Sequence, residues 1–299
     1  MSYQSGFIAI IGRPNAGKST LMNAMLQEKV SIMSDKPNTT RNNIAGILTK
    51  ADCQYVFMDT PGIHKPQQQL GRVLNKNAYT AMEDCDCIGW IVDGTQSFGT
   101  GDQHILKRIE TLHKPVVLIL NKIDCLPREK MMKSLLKWQT VYDFADIVPI
   151  SALKTDNLEE LLNVFRKYLP EGGPLFPSEM TSDHSLTFQL CEIVREKILT
   201  RTQQEIPHSV AVVLDSYQEE DEKLYLQMSI IVDKDSQKGI LIGKQGAMIR
   251  AIRLDAQKEI KQKLQRPVQL ELYVRVVKNW RNKADKIKEF GLDELEDDD

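Results

Sequence analysis

The chain has 299 residues, 41% hydrophobic and 27% charged, with a formal net charge of -2. At roughly 150 residues per domain this length predicts two globular domains, and the composition excludes a mainly disordered or fibrous chain. No apolar run approaches the ~20 residues that span a bilayer, and the five cysteines lack the paired CxxC spacing of a zinc ribbon or redox site.

The first apolar run, Phe7 to Ile11, follows no basic and apolar leader, so a cytoplasmic protein is expected. From there to about residue 168, short β-branched runs alternate with helical stretches. The strands are read at Phe7 to Ile11, Ile44 to Thr49, Tyr55 to Met58, Ile88 to Val92, Val116 to Leu120 and Ile147 to Ile150. Such alternation predicts an α/β domain, a mostly parallel sheet with helices on both faces, whose ligands sit at the carboxyl ends of the strands. Pro170, Gly172, Gly173, Pro174 and Pro177 then break the helical pattern and predict a linker, with the domain boundary near 175.

Beyond it the pattern becomes α+β. A helix over about Ser182 to Arg201 precedes two strands of period-two apolar faces: Val210, Val212 and Leu214, then Leu224, Leu226, Met228, Ile230 and Val232. Ile249, Ile252, Ala256, Ile260 and Leu264 recur at helical spacing, and Val268, Leu270, Leu272, Val274 and Val276 mark a third strand. The expected division is 1–170, a linker at 171–180, a smaller domain at 181–291 and an acidic tail at 292–299.

The near-neutral total hides a segregation of charge. Lys238 to Lys288 carries fourteen Lys or Arg against four Asp or Glu, whereas Glu289 to Asp299 carries seven acids and no base. A basic stretch of this kind points to a polyanion, unless it is only a solvated helix face.

Gly12-Arg13-Pro14-Asn15-Ala16-Gly17-Lys18-Ser19 fits G-x-x-x-x-G-K-[ST] and lies between a strand ending at Ile11 and a helix opening at Ser19. The glycines let successive amides and a helix N-terminus face phosphates, Lys18 reaches the outer phosphates, and the Ser19 hydroxyl suits Mg²⁺. Asp59-Thr60-Pro61-Gly62 follows the third strand: Asp59 can hold Mg²⁺ through water, and the Gly62 amide can meet a terminal phosphate. Asn121-Lys122-Ile123-Asp124 follows the fifth strand, and the Asp124 carboxylate matches the two donors, N1–H and the N2 amine, that guanine presents and adenine lacks. Lys122 lies along the base and Asn121 braces the loops. Ser151-Ala152-Leu153-Lys154 follows the sixth strand, where the Ala152 amide can meet guanine O6. Ala16, Thr20, Ser151 and Leu153 complete the expected nucleotide-binding set.

With these four motifs in order, the first domain resembles the translation-factor-related family of GTPases. The resemblance implies GTP hydrolysis with two switch segments, about Ser31 to Asn43 and from Asp59 onward. It assigns Thr40, or failing that Thr39, as the second Mg²⁺ hydroxyl, and Lys18, Thr40 and Gly62 as the catalytic set. Ile63 stands where Ras-like enzymes carry a water-orienting Gln, so hydrolysis is expected to be slow without help. Asn15 resembles the asparagine by which some bacterial GTPases hold an activating K⁺, and it equally fits a turn-capping residue.

Gly243-Lys244-Gln245-Gly246 is a GXXG loop between helical segments, within the basic stretch and followed by Arg250 and Arg253. In KH domains such a loop clamps single-stranded RNA backbone. The order helix, strand, strand, helix, helix, strand resembles the prokaryotic KH arrangement, and the likeness extends through Val277 to Arg281. Proteins that join these two domains act in assembly of the small ribosomal subunit and bind its rRNA near the 3′ end. The implied protein is a monomeric, GTP/GDP-binding, Mg²⁺-dependent RNA switch. Two rivals are an RNA chaperone with structural nucleotide, and a peripheral membrane GTPase using the basic C-terminal helix.

Overall fold

The computed structural model describes residues 2–33, 39–41, 44–62, 68–203 and 206–292. The chain divides into two compact units, Met1–Gln67 with Gly71–Asp183, and Gln68–Leu70 with His184–Asp299.

In the first unit the described elements run β1 (Gln4–Ile11), α1 (Lys18–Leu26), β2 (Ile44–Lys50), β3 (Cys53–Asp59), α2 (Gln69–Asp84), β4 (Cys87–Asp93), α3 (Thr100–Ile109), β5 (Val116–Asn121), α4 (Arg128–Gln139), β6 (Asp146–Pro149) and α5 (Leu158–Arg166). The sheet order is β2-β3-β1-β4-β5-β6, parallel except for β2, which returns antiparallel to β3. Every residue of β4 and β5 is buried, as expected of central parallel strands covered on both faces by helices. Under one face, Trp90 packs edge-on against Trp138, ring centroids 5.5 Å apart. Helix α5 buries Leu158, Leu161, Leu162 and Phe165, a spacing that makes one apolar stripe. Truncating the fully buried Phe165 to Ala costs about 3–5 kcal/mol. Strands β1, β3, β4 and β5 end at Ile11, Asp59, Asp93 and Asn121, so their following loops share one sheet edge.

The segment expected as a linker is a fixed strap on this unit. Pro170 O accepts from the Ser5 amide at 3.1 Å, and the Ser5 hydroxyl donates to Gly173 O at 2.6 Å. Gln54 donates to Phe176 O and accepts from the Leu175 and Phe176 amides at 2.7 and 2.9 Å. Ile47 N donates to Thr181 O, and Ser182 bridges Gly46, which covers the edge of β2. Pro and Gly stop a helix there, but they do not stop the backbone from bonding. The division falls at Asp183/His184, eight residues beyond the expected boundary at 175.

The second unit contains α6 (Leu186–Arg201), α7 (Ile206–Ser209), β7 (Ala211–Glu220), β8 (Lys223–Val232), α8 (Asp235–Ile242), α9 (Ala247–Leu264), β9 (Val268–Val276) and α10 (Ala284–Glu289). Strand β8 is central, antiparallel to β7 and parallel to β9. One core gathers the apolar face of all three strands with Leu190, Val194 and Ile198 of α6 and Ile252, Ala256 and Ile260 of α9. Helix α6 starts at Leu186 rather than Ser182 because Ser185 caps it, its hydroxyl accepting from the Phe188 amide at 3.2 Å. Trp280 of the closing segment is fully buried; its indole donates to Ser209 O at 3.2 Å and its amide to Asp233 at 3.1 Å. Arg281 pairs with the same Asp233 at 2.5 Å, so this segment locks the unit shut. Leu292, expected in the tail, is buried, its amide donating to Ile287 O. The acidic residues after it lie outside the described residues, as do Ile63 and 34–38 and 42–43 of the first expected switch segment.

Candidate functional site

The loop after β1 folds as its glycines require. A Cβ at Gly12 would lie 2.3 Å from Ile91 O, and Gly17, at φ 106°, caps α1 where a Cβ would lie 2.2 Å from Asn121 Nδ2. Asn15 also has a positive φ, 63°, a conformation that Asn tolerates better than most residues, and its side chain is exposed. Lys18 is buried and donates to the Gly12 and Arg13 carbonyls at 3.2 Å each. Thr20 lies in the first turn of α1.

Four side chains from separate segments converge on the end of β3. Asp59 Oδ2 accepts from the hydroxyls of Ser31 at 2.7 Å, Ser19 at 2.8 Å and Thr40 at 3.1 Å, and the Ser19 and Thr40 oxygens are 3.0 Å apart. Burial pushes the Asp59 carboxyl above its ordinary pKa against the pull of Lys18 and the three hydroxyls, and burial likewise pushes Lys18 down while Asp59 pulls it up. Asp59 Oδ1 is buried without a hydrogen-bond partner among the described residues. An oxygen-only cluster with a buried carboxylate atom to spare suits a small hard cation such as Mg²⁺. Beyond Asp59, Thr60 donates to Ile10 O at 2.9 Å, and a Cβ at Gly62 would lie 3.1 Å from the Pro14 ring, so the Gly62 backbone rides on the phosphate loop.

The loop after β5 is stitched to the phosphate loop from the other side. Asn121 donates to Ala16 O at 2.9 Å, and its Oδ1 accepts from the Ala152 amide at 3.0 Å. Lys122 reaches Asn15 O at 2.9 Å and Asp93 at 2.7 Å. For Asp93, burial works upward, but hydrogen bonds from Lys122 and Thr95 outweigh it and hold the carboxyl below its ordinary value. Asp124 is exposed, and a 2.6 Å hydrogen bond from the Ser151 hydroxyl holds it low and ionised, as an acceptor should be.

In the second unit, Gly243 (φ 72°) ends α8 and Gly246 (φ 76°) caps α9, with Lys244 and Gln245 exposed between them. Gln245 itself sits at φ 51°. The loop thus offers main chain and a helix N-terminus to an anion. Arg250 is exposed one turn along α9. Arg253 lines a cleft of about 440 Å³ with Lys223, Gln257, Val268, Gln269, Leu270 and Glu271, between α9 and the start of β9.

A family model described as a 50S ribosome-binding GTPase matches residues 7–122, and a KH-domain model matches residues 205–281. Among solved structures, an Era in complex with MgGDPNP and nucleotides 1506–1542 of 16S ribosomal RNA is 39% identical, with a TM-score of 0.94 over 97% of this chain and 99% of that one. The chain belongs to the Era family. An Aquifex aeolicus Era variant bound to GDP·AlF4⁻ gives the same identity, coverage and TM-score. Both Era domains are therefore present, the GTPase domain with its mostly parallel sheet and the KH domain after it.

Seen as an Era-family GTPase, the chain brings together Lys18, Ser19, Thr40 and Asp59 at one point and Asn121, Lys122, Asp124 and Ser151 at another. Ala152 differs from expectation. Its amide is engaged by Asn121 Oδ1, because the two loops close on each other, while Leu153 is 73% exposed. Sequence reading missed Ser31 and Asp93. Ser31 carries no motif signal, whereas Asp93, a carboxylate ending the strand beside β5, was visible as a partner for Lys122 by the same strand-end rule.

Proposed function

We propose that this chain is a GTP-hydrolysing switch that binds small-subunit ribosomal RNA near its 3′ end through residues Gly243 to Gly246, Arg250 and Arg253, and acts in assembly of the small ribosomal subunit. The observation that carries the reading is the joint convergence of Ser19, Thr40 and Asp59 beside Lys18, with the Asn121–Asp124 loop braced onto the same phosphate loop. The 16S rRNA held by the similar Era and the GXXG loop inside a basic stretch support the RNA half. The working division is a GTPase domain ending near 170, its strap, and a KH domain from about 181 to 291.

In this reading Ser19 and Thr40 would hold Mg²⁺ directly and Asp59 would hold it through water. When bound, the ion neutralises charge building between the outer phosphates. Lys18 turns from the Gly12 and Arg13 carbonyls to the phosphates, and the Ala16, Gly17 and Gly62 amides donate to them. Asp124 reads the two guanine donors, Lys122 covers the base, and the Ala152 amide reaches guanine O6 by sharing with or leaving Asn121. Thr40 and Gly62, on the two switch segments, report the terminal phosphate. Asn15 is the site for an activating K⁺, or else a turn residue, as its left-handed φ favours. Turnover measured with and without small-subunit rRNA, in K⁺ and in Na⁺, tests the whole. RNA-stimulated multiple turnover of GTP is the expected result. A K⁺ advantage lost in Asn15→Ala assigns the ion to Asn15, equal rates in the two salts leave Asn15 as a turn residue, and absence of turnover under every condition overturns the switch.

A further inference from the structure

Behind the base-reading loop, on the α4 side of the GTPase domain, lies a second concavity of about 380 Å³ that the nucleotide chemistry does not use. Phe98, Leu126, Trp138 and Val141 form its apolar floor, and Lys130, Lys133 and Lys137 line its rim. Spacings of three and four residues put the lysines on one face of α4, along about 10 Å of helix axis. No carboxylate lines the cleft, and none of the three ammonium groups forms an ion pair among the described residues. Their positive potentials therefore add inside a concave, low-dielectric wall instead of being cancelled locally.

The opposite wall is preformed. Gly94 donates to Asn121 O at 2.8 Å, Ser134 donates to Gly94 O at 3.4 Å, and Asp93 accepts from the Thr95 amide and hydroxyl at 2.9 and 2.6 Å. Gln96 is bonded to Arg13 of the phosphate loop. A cleft with fixed walls costs little ordering to fill.

The geometry points to a docking site for an acidic peptide segment that carries aliphatic side chains, its carboxylates on Lys130, Lys133 and Lys137 and its apolar residues on the floor. Two features favour a peptide over a nucleic acid strand. Single-stranded nucleic acid is gripped by exposed aromatic rings on which bases stack, and here Trp138 is buried and Phe98 is half-buried, packed edge-on against it with ring centroids 5.5 Å apart. An acidic helix also repeats its carboxylates at three and four residues, the interval at which α4 repeats its lysines.

The test uses full-length protein and a fluorescein-labelled synthetic peptide with the sequence of residues 289–299, which carries seven acids, no base, and leucines at positions 292 and 295. Fluorescence anisotropy is expected to show saturable binding that weakens with salt. Each single Lys→Glu change at 130, 133 or 137 is expected to weaken it about fivefold, and the triple change on the order of a hundredfold. Val141→Asp, which puts a charge on the floor, should weaken it without touching the lysines. GDP affinity, unchanged in each variant, certifies the fold. Lys244→Asp with Gln245→Asp should leave peptide binding intact, which excludes capture by the basic KH surface. Absence of binding, or binding that survives the triple change, overturns the site. So does displacement of the peptide from the Lys244→Asp/Gln245→Asp protein by an equal concentration of a ten-nucleotide oligouridine, since that marks a general polyanion surface.

Discussion

Gly17 and Gly246 each take a left-handed φ, 106° and 76°, at the residue that caps a helix, and each has a lysine at hand, Lys18 or Lys244. Around Gly17 the space is closed. Lys18 is buried, Asn121 reaches across to Ala16, and a Cβ would lie 2.2 Å from the Asn121 amide nitrogen. Around Gly246 the space is open, with nothing among the described residues within 4 Å of a built Cβ and with Lys244 and Gln245 exposed. Under the proposed function, the same local device serves two kinds of anion. A compact nucleotide is gripped from all sides, so its loop must be cross-braced by side chains from other strands. A polymer must pass through, so its loop must leave the rim clear and offer backbone alone.

The sharpest way to break this contrast is Gly17→Ala. Left-handed strain plus the collision with Asn121 is expected to cost about 3 kcal/mol or more, on the order of a hundredfold in GDP affinity. Titration with a fluorescent GDP analogue measures it, and near-normal affinity would show that the loops are not braced. Next comes Lys244→Asp with Gln245→Asp, which sets two negative charges where phosphates would pass. RNA binding should fall on the order of a hundredfold with GTP affinity unchanged. The left-handed Gln245 position tolerates Asp, so circular dichroism should show a folded protein.

An effect of similar order is expected at Asp124→Asn, which mismatches one of two guanine donors. GTP should weaken roughly ten- to several-hundredfold and xanthosine triphosphate should bind better, because its 2-oxo group needs a donor. Equal affinity of the unmodified protein for ATP and GTP would contradict the assignment. Smallest is Gly246→Ala, where space is free and only the backbone preference is lost. Thermal unfolding should report about 1 kcal/mol, and RNA binding should survive. A loss as large as that at Gly17 would mean the open loop is braced after all.

The phosphate loop, Asp59 and the Asn121–Asp124 run were legible because their chemistry demands particular residue types at fixed spacing, right after apolar strand runs. The GXXG loop was legible only with its basic surroundings, since two glycines three apart fit any helix-helix turn. The strap at 171–180 was misread because its order comes from Gln54, Ser5 and the edge of β2, all distant in sequence. Ser31 was invisible for the same reason: a serine becomes a partner of Asp59 only when the fold carries it there.

What the sequence by itself determined is therefore the class of both units and the order of their elements, together with the side chains proposed to meet phosphate, cation and guanine. Each of these rests on short-range pattern: period two or 3.6, a glycine before a helix, a carboxylate after a strand. Only the tertiary structure decided that Ser19, Ser31 and Thr40 share one oxygen of Asp59, that Ala152 spends its amide on Asn121, and that Trp280 with Arg281 closes the second unit on Asp233. Those contacts join residues 19 to 48 positions apart, or loops following different strands. Which groups end within 3 Å of each other is set by strand order and packing, and no local pattern in the chain encodes it.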